Sequence, residues 1–310
     1  MSRSTPASPS LEQPSVQVGA ITCTVLSDGG AAYPKELLFQ DVDEDVLRRE
    51  LGSRLAADGT VESVYHCVLL QTPTARILVD SGLGRLAQVE GLPAGHLVSS
   101  LSRVGYRPDD IDVVVLTHAH PDHIGGLVTD GRVTFRNARH VLSLPEWDLW
   151  TDEDALSRMP EPFAAPARAI FPVLHRADCI DPVDMRPSGR GSVPEAEISQ
   201  GVLLRLAPGH TPGHCVVTVT SQGRSLTLLA DTLVDPLQFR HLDWTCAFDH
   251  TAEDTVRTRR ALLAEAAESE SDLLAYHVGT FGQVTADDEG FSWHRSPEAS
   301  AGPGRPVGGG

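Results

Sequence analysis

The segment at 117–126 carries the densest group of chemically useful side chains in the sequence. It contains the imidazoles of His118, His120 and His123 and the carboxylate of Asp122. Neutral imidazoles and carboxylates are the ligands that zinc and similar borderline divalent metals prefer. A chance surface turn rarely concentrates these residue types at this spacing, so the segment indicates a metal site.

An apolar, β-branched run at 111–116 precedes this segment, and Gly125 and Gly126 follow its histidines. Such an uninterrupted apolar run is typical of a strand that is buried on both faces of a sheet. The histidines would then lie on the loop at the carboxyl end of the strand, where α/β folds usually place ligands. We therefore expect this strand and its loop to position the metal site.

The segment resembles the H-x-H-x-D-H signature of the metallo-β-lactamase-fold hydrolases. Later stretches resemble the other metal motifs of that family, in the same order: His210 in a Pro-Gly-His turn, Asp231 in Ala-Asp-Thr and His277 in Ala-Tyr-His. The resemblance implies an α/β fold, a four-layer αββα sandwich with the metals in a cleft along one edge of the β layers. The pattern of strands and helices alone also permits an ordinary α/β layer fold.

The resemblance further implies two divalent metal ions as cofactors. Zinc is expected first, and manganese, cobalt or iron remain open because their ligand sets overlap. The implied ligands are histidines and aspartates: His118, His120 and His210 for one ion, Asp122, His123 and His277 for the other, and Asp231 as the bridge between them.

Two metal ions that share a water lower its pKa to about 7 and so provide hydroxide at neutral pH. Attack by this bridging hydroxide would create an anion that the metals stabilise. The residues expected to act in catalysis are Asp231, as the bridging ligand, and Asp122, as a carrier of the proton to the leaving group. Asp80, which follows a predicted strand, and His214 are expected to orient the ligands by hydrogen bonds rather than to bind metal.

The stretches at 232–241 and 248–250 resemble the branch of the family that contains methyl parathion hydrolase-like enzymes and lactonases. This branch implies hydrolysis of a lactone, an aryl ester or a phosphotriester of a small, largely apolar substrate. Lactonases specific for acyl-homoserine lactones carry a tyrosine three residues after the bridging aspartate, and this chain has Val234 there. The side chains predicted to line an apolar pocket, each of which could instead belong to the core, are Trp147, Leu233, Phe239, Phe248 and Phe281.

Two other activities of the same fold remain open. A glyoxalase II-like thioester hydrolase needs a basic patch for the glutathione carboxylates, and no Lys/Arg cluster lies near the place where that class carries it. A mononuclear iron dioxygenase would leave Asp122 and His123 unused. Measuring the metal content distinguishes the dioxygenase from the dinuclear hydrolase, because one iron ion per chain together with oxygen consumption would exclude the hydrolase.

The composition limits the partners. Asp and Glu number 42 and Lys and Arg 25, for a net charge of −17, which repels nucleic acid and anionic membranes. No apolar run approaches the roughly 18 residues that span a bilayer, and the Cys residues show no C-x-x-C spacing. We expect a cytoplasmic protein that acts on a small molecule. The apolar face of a predicted helix at 43–57 either packs on its own core or forms a homodimer interface.

The domain boundaries follow from changes in composition. The Ser/Pro-rich start at 1–15 and the Gly/Pro-rich end at 295–310 are expected to be disordered. Residues 16–294 are predicted to form one hydrolase domain, with a strand at 16–26. The stretch at 152–198 is rich in proline and charge and lacks clear periodicity, so we expect an irregular lid or substrate-facing insertion.

Overall fold

The computed structural model describes residues 13–187, 193–287, 290–296 and 300–301. The strands are β1 (Pro14–Val18), β2 (Ile21–Pro34), β3 (Thr60–Gln71), β4 (Arg76–Val79), β5 (Val113–Val115), β6 (Val128–Thr129), β7 (Arg132–Val133), β8 (Arg139–Ser143), β9 (Ile180–Val183), β10 (Arg186–Pro187), β11 (Pro194–Ser199), β12 (Val202–Leu206), β13 (Cys215–Ser221), β14 (Arg224–Ala230), β15 (Asp272–Ala275), β16 (Gly282–Asp287), β17 (Gly290–Arg295) and β18 (Ser300–Ala301).

The helices lie mostly between strands of the first half of the chain and before β15. They are α1 (Lys35–Leu38), α2 (Glu44–Leu51), α3 (Leu86–Glu90), α4 (Leu97–Arg103), α5 (Pro121–Ile124), α6 (Leu144–Thr151), α7 (Glu153–Leu156), α8 (Glu161–Arg176) and α9 (Ala252–Ser269). Among the described helices, none combines the length and the apolar character that a membrane crossing requires.

The strands form two large sheets and a small hairpin. The order in the first sheet is β18-β1-β2-β3-β4-β5-β8-β9, and the order in the second is β10 to β17 in sequence; β6 and β7 pair separately. Strands β4, β5, β8 and β9 are parallel, and β14 is parallel to β15. The remaining neighbours in both sheets pair in antiparallel fashion.

Three apolar clusters define four layers. Residues of both sheets, such as Val115 and Val217, share one cluster between the sheets. Leu101 of α4 and Phe171 of α8 pack on the outer face of the first sheet. Leu263 of α9 packs on the outer face of the second sheet. The predicted αββα sandwich is therefore confirmed.

Strand β5 shows why its sequence is apolar at every position. Val113 and Val115 face the cluster between the sheets, and Val114 faces the helices on the outer side. A strand in a parallel region that is covered on both faces has no position for a polar side chain. The chain becomes polar at Thr117, two residues beyond the end of the strand, and this places the histidine segment at the carboxyl end of β5.

The start of the domain differs from the prediction of one strand at 16–26. The chain turns at Gly19 and Ala20, so this region belongs to two strands, β1 and β2. The helix predicted at 43–57 ends at Leu51, because Gly52 adopts a φ of 53°. Its apolar face, including Leu47, packs within the chain in a small cluster, which removes the basis for predicting a homodimer interface on this face.

The described part of the stretch at 152–198 is largely regular, which corrects the prediction of irregular structure, while Phe163 within it does face the cavity described below. It contains α8, whose buried side chains Ala164, Ala167, Phe171 and Leu174 cover the first sheet. The expected disorder at 1–15 and 295–310 is also wrong in part, because Ser300–Ala301 pairs with β1. Residues 1–12, 297–299 and 302–310 lie outside the described residues.

Candidate metal centre

The first candidate metal group joins the segment after β5 to the segment after β12. It contains His118, His120 and His210, whose ligand atoms lie within 4.8 Å of one another. The Nδ1 atom of His120 is 3.0 Å from Nε2 of His210. All three side chains are buried. The predicted ligands of the first ion are thus brought together from positions about ninety residues apart.

The second group lies beside the first and contains Asp122, His123, Asp231 and His277, again with ligand atoms within 4.8 Å. Asp231 follows β14 and His277 follows β15, two parallel strands whose carboxyl ends meet at one edge. His277 Nε2 lies 3.1 Å from Asp231 Oδ2 and 3.8 Å from Asp122 Oδ2. His123 Nε2 lies 3.3 Å from Asp231 Oδ1.

Asp231 lies between the two groups. Its Oδ2 atom is 3.4 Å from His210 Nε2 and 3.9 Å from His118 Nε2, while Oδ1 faces His123. A carboxylate that presents one or both oxygens to two sets of imidazoles has the position that a bridging ligand needs. The preceding residue, Ala230, has a φ of 46°. This left-handed conformation is unusual for alanine, and such strain is common at functional sites.

The hydrogen bonding of these side chains tests whether they fit a metal. Within the described residues, His118 Nε2, His123 Nε2 and Asp231 Oδ1 are buried and lack a hydrogen-bond partner. Buried polar atoms are nearly always paired, so a cluster of unpaired atoms that converge needs an explanation. A bound cation satisfies lone pairs of this kind. The donor set of imidazoles and carboxylates fits two zinc-like divalent ions.

The electrostatics agree with this fit. Burial lowers the pKa of His118 and of His120 well below the usual value, so both imidazoles are neutral, as metal ligation requires. Burial also acts against the charged form of His123, but Asp231, Asp122 and Asp80 outweigh it and raise its pKa. The second group therefore attracts positive charge.

Hydrogen bonds to the far ring nitrogens orient the imidazoles. His123 Nδ1 donates to Asp80 Oδ2 at 2.9 Å, and the backbone and hydroxyl of Thr117 donate to the same carboxylate. His210 Nδ1 donates to Asp249 Oδ1 at 2.9 Å. His277 Nδ1 donates to the Val64 carbonyl at 3.0 Å. Partners of this kind fix the tautomer that presents a lone pair to the metal.

His214 supports the bridging residue rather than either group. Its Nδ1 donates to the Ala207 carbonyl at 2.9 Å, and its Nε2 accepts from the backbone N–H of Asp231 at 3.2 Å. Burial, with His210 nearby, lowers the pKa of His214 to about 3, so the ring stays neutral and keeps this tautomer. Asp80 and His214 thus have contacts that suit the orienting roles proposed for them.

Glu146 connects the two histidine loops of the first group. This fully buried carboxylate on α6 accepts from the backbone of Ala119 at 2.9 Å and from Trp150 Nε1 at 2.7 Å. Its other oxygen accepts from Thr211 Oγ1 at 2.7 Å and from the backbone of Gly213 at 3.1 Å. One side chain thereby holds together the loops that carry His118, His120 and His210.

At the two positions after the histidine segment, neighbouring backbone leaves no space for a side chain larger than that of glycine. A Cβ on Gly126 would lie 2.0 Å from the Ser81 carbonyl oxygen, and one on Gly125 would lie 2.2 Å from that of Leu83. The loop after β4 therefore packs directly against the backbone that follows the metal ligands, and the loop that carries Asp80 is held beside His123.

A cavity of about 280 Å³ opens over both groups. The side chains of Asp122, Asp231 and His277 lie on its floor, together with those of His120 and His210. Its walls include Tyr33, Tyr65, Leu83, Leu92, Phe163 and Phe248. Among the described residues that line it, none is a lysine or an arginine. The cavity is thus suited to a small, neutral, largely apolar molecule.

Of the side chains predicted to line this pocket, only Phe248 does so among the described residues. Leu233 and Phe239 pack in the core beneath α9, and Phe281 packs between the sheets. Trp147 lies in a separate groove beside α8. For these four the prediction is corrected, because the hydrophobicity of a side chain does not distinguish a cavity wall from the core.

Sequence reasoning also missed residues that the structure places at the site. Tyr33 and Tyr65 gave no signal, since each lies in an ordinary strand pattern. Phe163 lies in the stretch interpreted as irregular. Asp249 lies inside the stretch at 248–250 that the family resemblance had highlighted, but its hydrogen bond to His210 joins positions 39 residues apart and has no local sequence signal.

Comparison with known proteins adds the family. The model of the metallo-beta-lactamase superfamily matches residues 61–268. An N-acyl homoserine lactonase of Bacillus cereus is 27% identical over 63% of this chain and 74% of its own. The lactonase AiiA of Bacillus thuringiensis subsp. kurstaki is 30% identical over 53% of this chain and 62% of its own, so the match spans less than two thirds of that relative.

Solved structures agree with the architecture. The hydrolase AbOPH of the beta lactamase superfamily superposes with a TM-score of 0.81 at 23% identity, covering 92% of this chain and 97% of the other. AidC, a dizinc quorum-quenching lactonase in complex with a product, superposes with a TM-score of 0.76 at 25% identity, covering 92% and 97%. Because the family model spans well over half of the sequence, this chain belongs to the metallo-beta-lactamase superfamily.

Proposed function

We propose that this metallo-β-lactamase-fold hydrolase binds two divalent ions, zinc first, and cleaves an ester-type bond in a small, neutral, largely apolar substrate. A lactone is the first candidate, since the relatives include N-acyl homoserine lactonases, and aryl esters and phosphotriesters follow. The observation that carries this proposal is the pair of ligand groups that meet at Asp231 on the floor of an apolar cavity.

When bound, the two ions would supply a hydroxide nucleophile at neutral pH and would polarise the bond to be cleaved. The residues of the chain do the rest. Asp231 keeps the two groups in register, while Asp80, Asp249 and His214 hold the ligands and Asp231 in place. Asp122, which is half-buried and faces the cavity, carries the proton to the leaving group. The aromatic and aliphatic walls bind the acyl group and exclude water.

The charge of the cavity favours a neutral substrate over the thioester alternative. Glu90 lines the same cavity, close enough to Asp122 for the charge of that carboxylate to raise the pKa of Glu90. A carboxylate in the wall repels an anionic substrate. No lysine or arginine among the described lining residues is available for the carboxylates of a glutathione thioester. The iron dioxygenase alternative is also disfavoured, because Asp122 and His123 belong to a complete second group with His277.

A turnover screen tests the proposal. The purified protein is loaded with zinc, manganese, cobalt or iron, and lactones, aryl esters, phosphotriesters and thioesters are assayed at pH 7–8. We expect hydrolysis of a lactone or aryl ester with two ions bound per chain. The His120→Ala variant should lose turnover, whereas His294→Ala, a surface histidine on β17, should not.

The outcomes against the proposal are equally defined. A clear preference for glutathione thioesters would replace the ester assignment. One iron per chain with oxygen consumption would exclude the dinuclear hydrolase. Near-normal turnover by His120→Ala would remove His120 from the metal centre.

A further inference from the structure

Two tyrosines in the cavity wall form a hydrogen-bonded pair. Tyr33 lies near the end of β2 and Tyr65 lies in the adjacent β3, and their hydroxyls bond to each other. Both rings line the cavity over the ligand groups. The Tyr65 ring packs edge-on against the ring of His277, with centroids 5.8 Å apart, and Tyr33 packs edge-on against Phe248 at 5.9 Å.

The pair has one donor to spare. Two hydroxyls carry two protons, and the bond between them uses one. Within the described residues, neither hydroxyl has a second hydrogen-bond partner. Tyr65 is fully buried, whereas Tyr33 is half-buried. If Tyr65 donates to Tyr33, the spare proton remains on Tyr33, which is the more accessible of the two. The Tyr33 hydroxyl can then donate into the cavity.

Burial raises the pKa of both phenols, and the negative charge of Asp122 raises each of them further. An ordinary phenol has a pKa of about 10, and this alone keeps both hydroxyls protonated in the neutral range. The pair is a neutral donor and has no role as a base. A donor that already accepts a hydrogen bond is also polarised toward donating a stronger one.

We propose that Tyr33, oriented by Tyr65, donates a hydrogen bond to the carbonyl or phosphoryl oxygen of the bond being hydrolysed. This inference rests on the proposed function, since it assigns a specific contact to the same cavity. Tyr33 is then a catalytic residue, because it touches the reacting oxygen, and Tyr65 is a positioning residue. Val234 and Phe248 nearby carry no hydrogen-bond donor in their side chains, and the Ser63 hydroxyl, which also lines the cavity, is already bonded to His277 Nδ1 at 3.0 Å.

The experiment uses Tyr33→Phe, Tyr65→Phe and the double variant in the metal-loaded protein. A hydrogen bond to an oxygen that gains charge is worth about a 10- to 100-fold change. We expect kcat/KM of Tyr33→Phe to fall by about that factor, with most of the loss in kcat because the bond strengthens in the transition state. Tyr65→Phe should lose less, and the double variant should lose no more than Tyr33→Phe, because the two hydroxyls act as one unit.

Two further readouts separate this role from a structural one. Metal content should stay at two ions. Binding of N-hexanoyl-L-homoserine, the product bound in a solved N-acyl homoserine lactone hydrolase, is measured by calorimetry. Its affinity should weaken in Tyr33→Phe and remain unchanged in Tyr106→Phe. Tyr106 is the matched control because its hydroxyl is bonded to Gln71 and does not line the cavity.

The results that overturn the inference differ from those that overturn the proposed function. If Tyr33→Phe keeps both kcat/KM and product affinity within twofold of the parent, or if the two single losses multiply in the double variant, the pair does not act as described. If the parent hydrolyses no ester, the proposed function fails, and product binding alone decides the role of the pair.

Discussion

Replacing Glu146 with glutamine changes one atom in a buried carboxylate that accepts four hydrogen bonds. Donors from the loop after β5 and from α6 meet one oxygen, and donors from the loop after β12 meet the other. The amide of glutamine has a single acceptor oxygen and an NH₂ group. The least damaging orientation directs this oxygen to Ala119 and Trp150, and the NH₂ group then faces Thr211 and Gly213.

The magnitude follows from those partners. The Thr211 hydroxyl can rotate to accept from the new NH₂ group, but the backbone N–H of Gly213 cannot. One buried donor left without a partner costs about 1–3 kcal/mol. The charge-assisted hydrogen bonds at the other oxygen also become weaker neutral ones. The neutral glutamine, however, avoids the free-energy cost of burying a charge, which is the cost that raises the pKa of Glu146. These smaller effects oppose each other, so the free energy of unfolding should fall by about 2 kcal/mol.

Urea unfolding of the metal-free protein measures this change, with Glu153→Gln as the control. Glu153 is exposed and paired with Arg168, so its substitution should cost less than about 1 kcal/mol. Because Glu146 also holds the loops of the first group, zinc affinity at that site should fall by about 10- to 100-fold. Unfolding free energies that agree within about 0.5 kcal/mol and an unchanged zinc affinity would refute the reasoning.

Three other substitutions test separate parts of the structure. Asp80→Asn should weaken zinc binding at the second group by about 10- to 100-fold, because His123 loses its charged partner; equal zinc titrations of the variant and the parent would contradict this. Burial lowers the pKa of His140 to about 4, below about 6.5 in the unfolded chain, so folding excludes a proton and stability falls as the pH drops. The parent should lose about 2 kcal/mol between pH 7 and 5 that His140→Gln does not lose, and parallel pH profiles of urea unfolding would oppose that account. Gly126→Ala places a Cβ against the Ser81 carbonyl oxygen, so thermal unfolding should show at least about 2 kcal/mol of destabilisation, and an unchanged melting temperature would show that the loop can move aside.

The local chemistry of the metal segments could be predicted from the sequence, because each lies directly after a strand. The apolar run of β5 and the histidines behind it are adjacent in the chain, so their spatial relation is fixed by covalent connection. The grouping of His210, Asp231 and His277 with that segment depends on how two sheets align. The resemblance to a known family supplied that grouping, and the structure brings these side chains together.

The missed features have a common physical reason, which is that their roles arise from tertiary packing. Glu146 meets Thr211 and Gly213 across more than sixty residues of chain. Helix α8 was missed because Pro166 and Pro172 lie inside it, and proline usually ends a helix. The helix persists despite these prolines because its apolar face packs on the first sheet. Its buried positions follow helical spacing, which is the signal in the sequence that could have revealed it.

Anomalous diffraction from crystals of the zinc-loaded protein tests the central claim most directly. The structure predicts two peaks about 3.5–4 Å apart, the usual separation in two-metal sites, with Asp231 in contact with both. One peak should lie among His118, His120 and His210, and the other among Asp122, His123 and His277. A single peak, or peaks away from these side chains, would contradict the dinuclear centre on which the proposed hydrolysis depends.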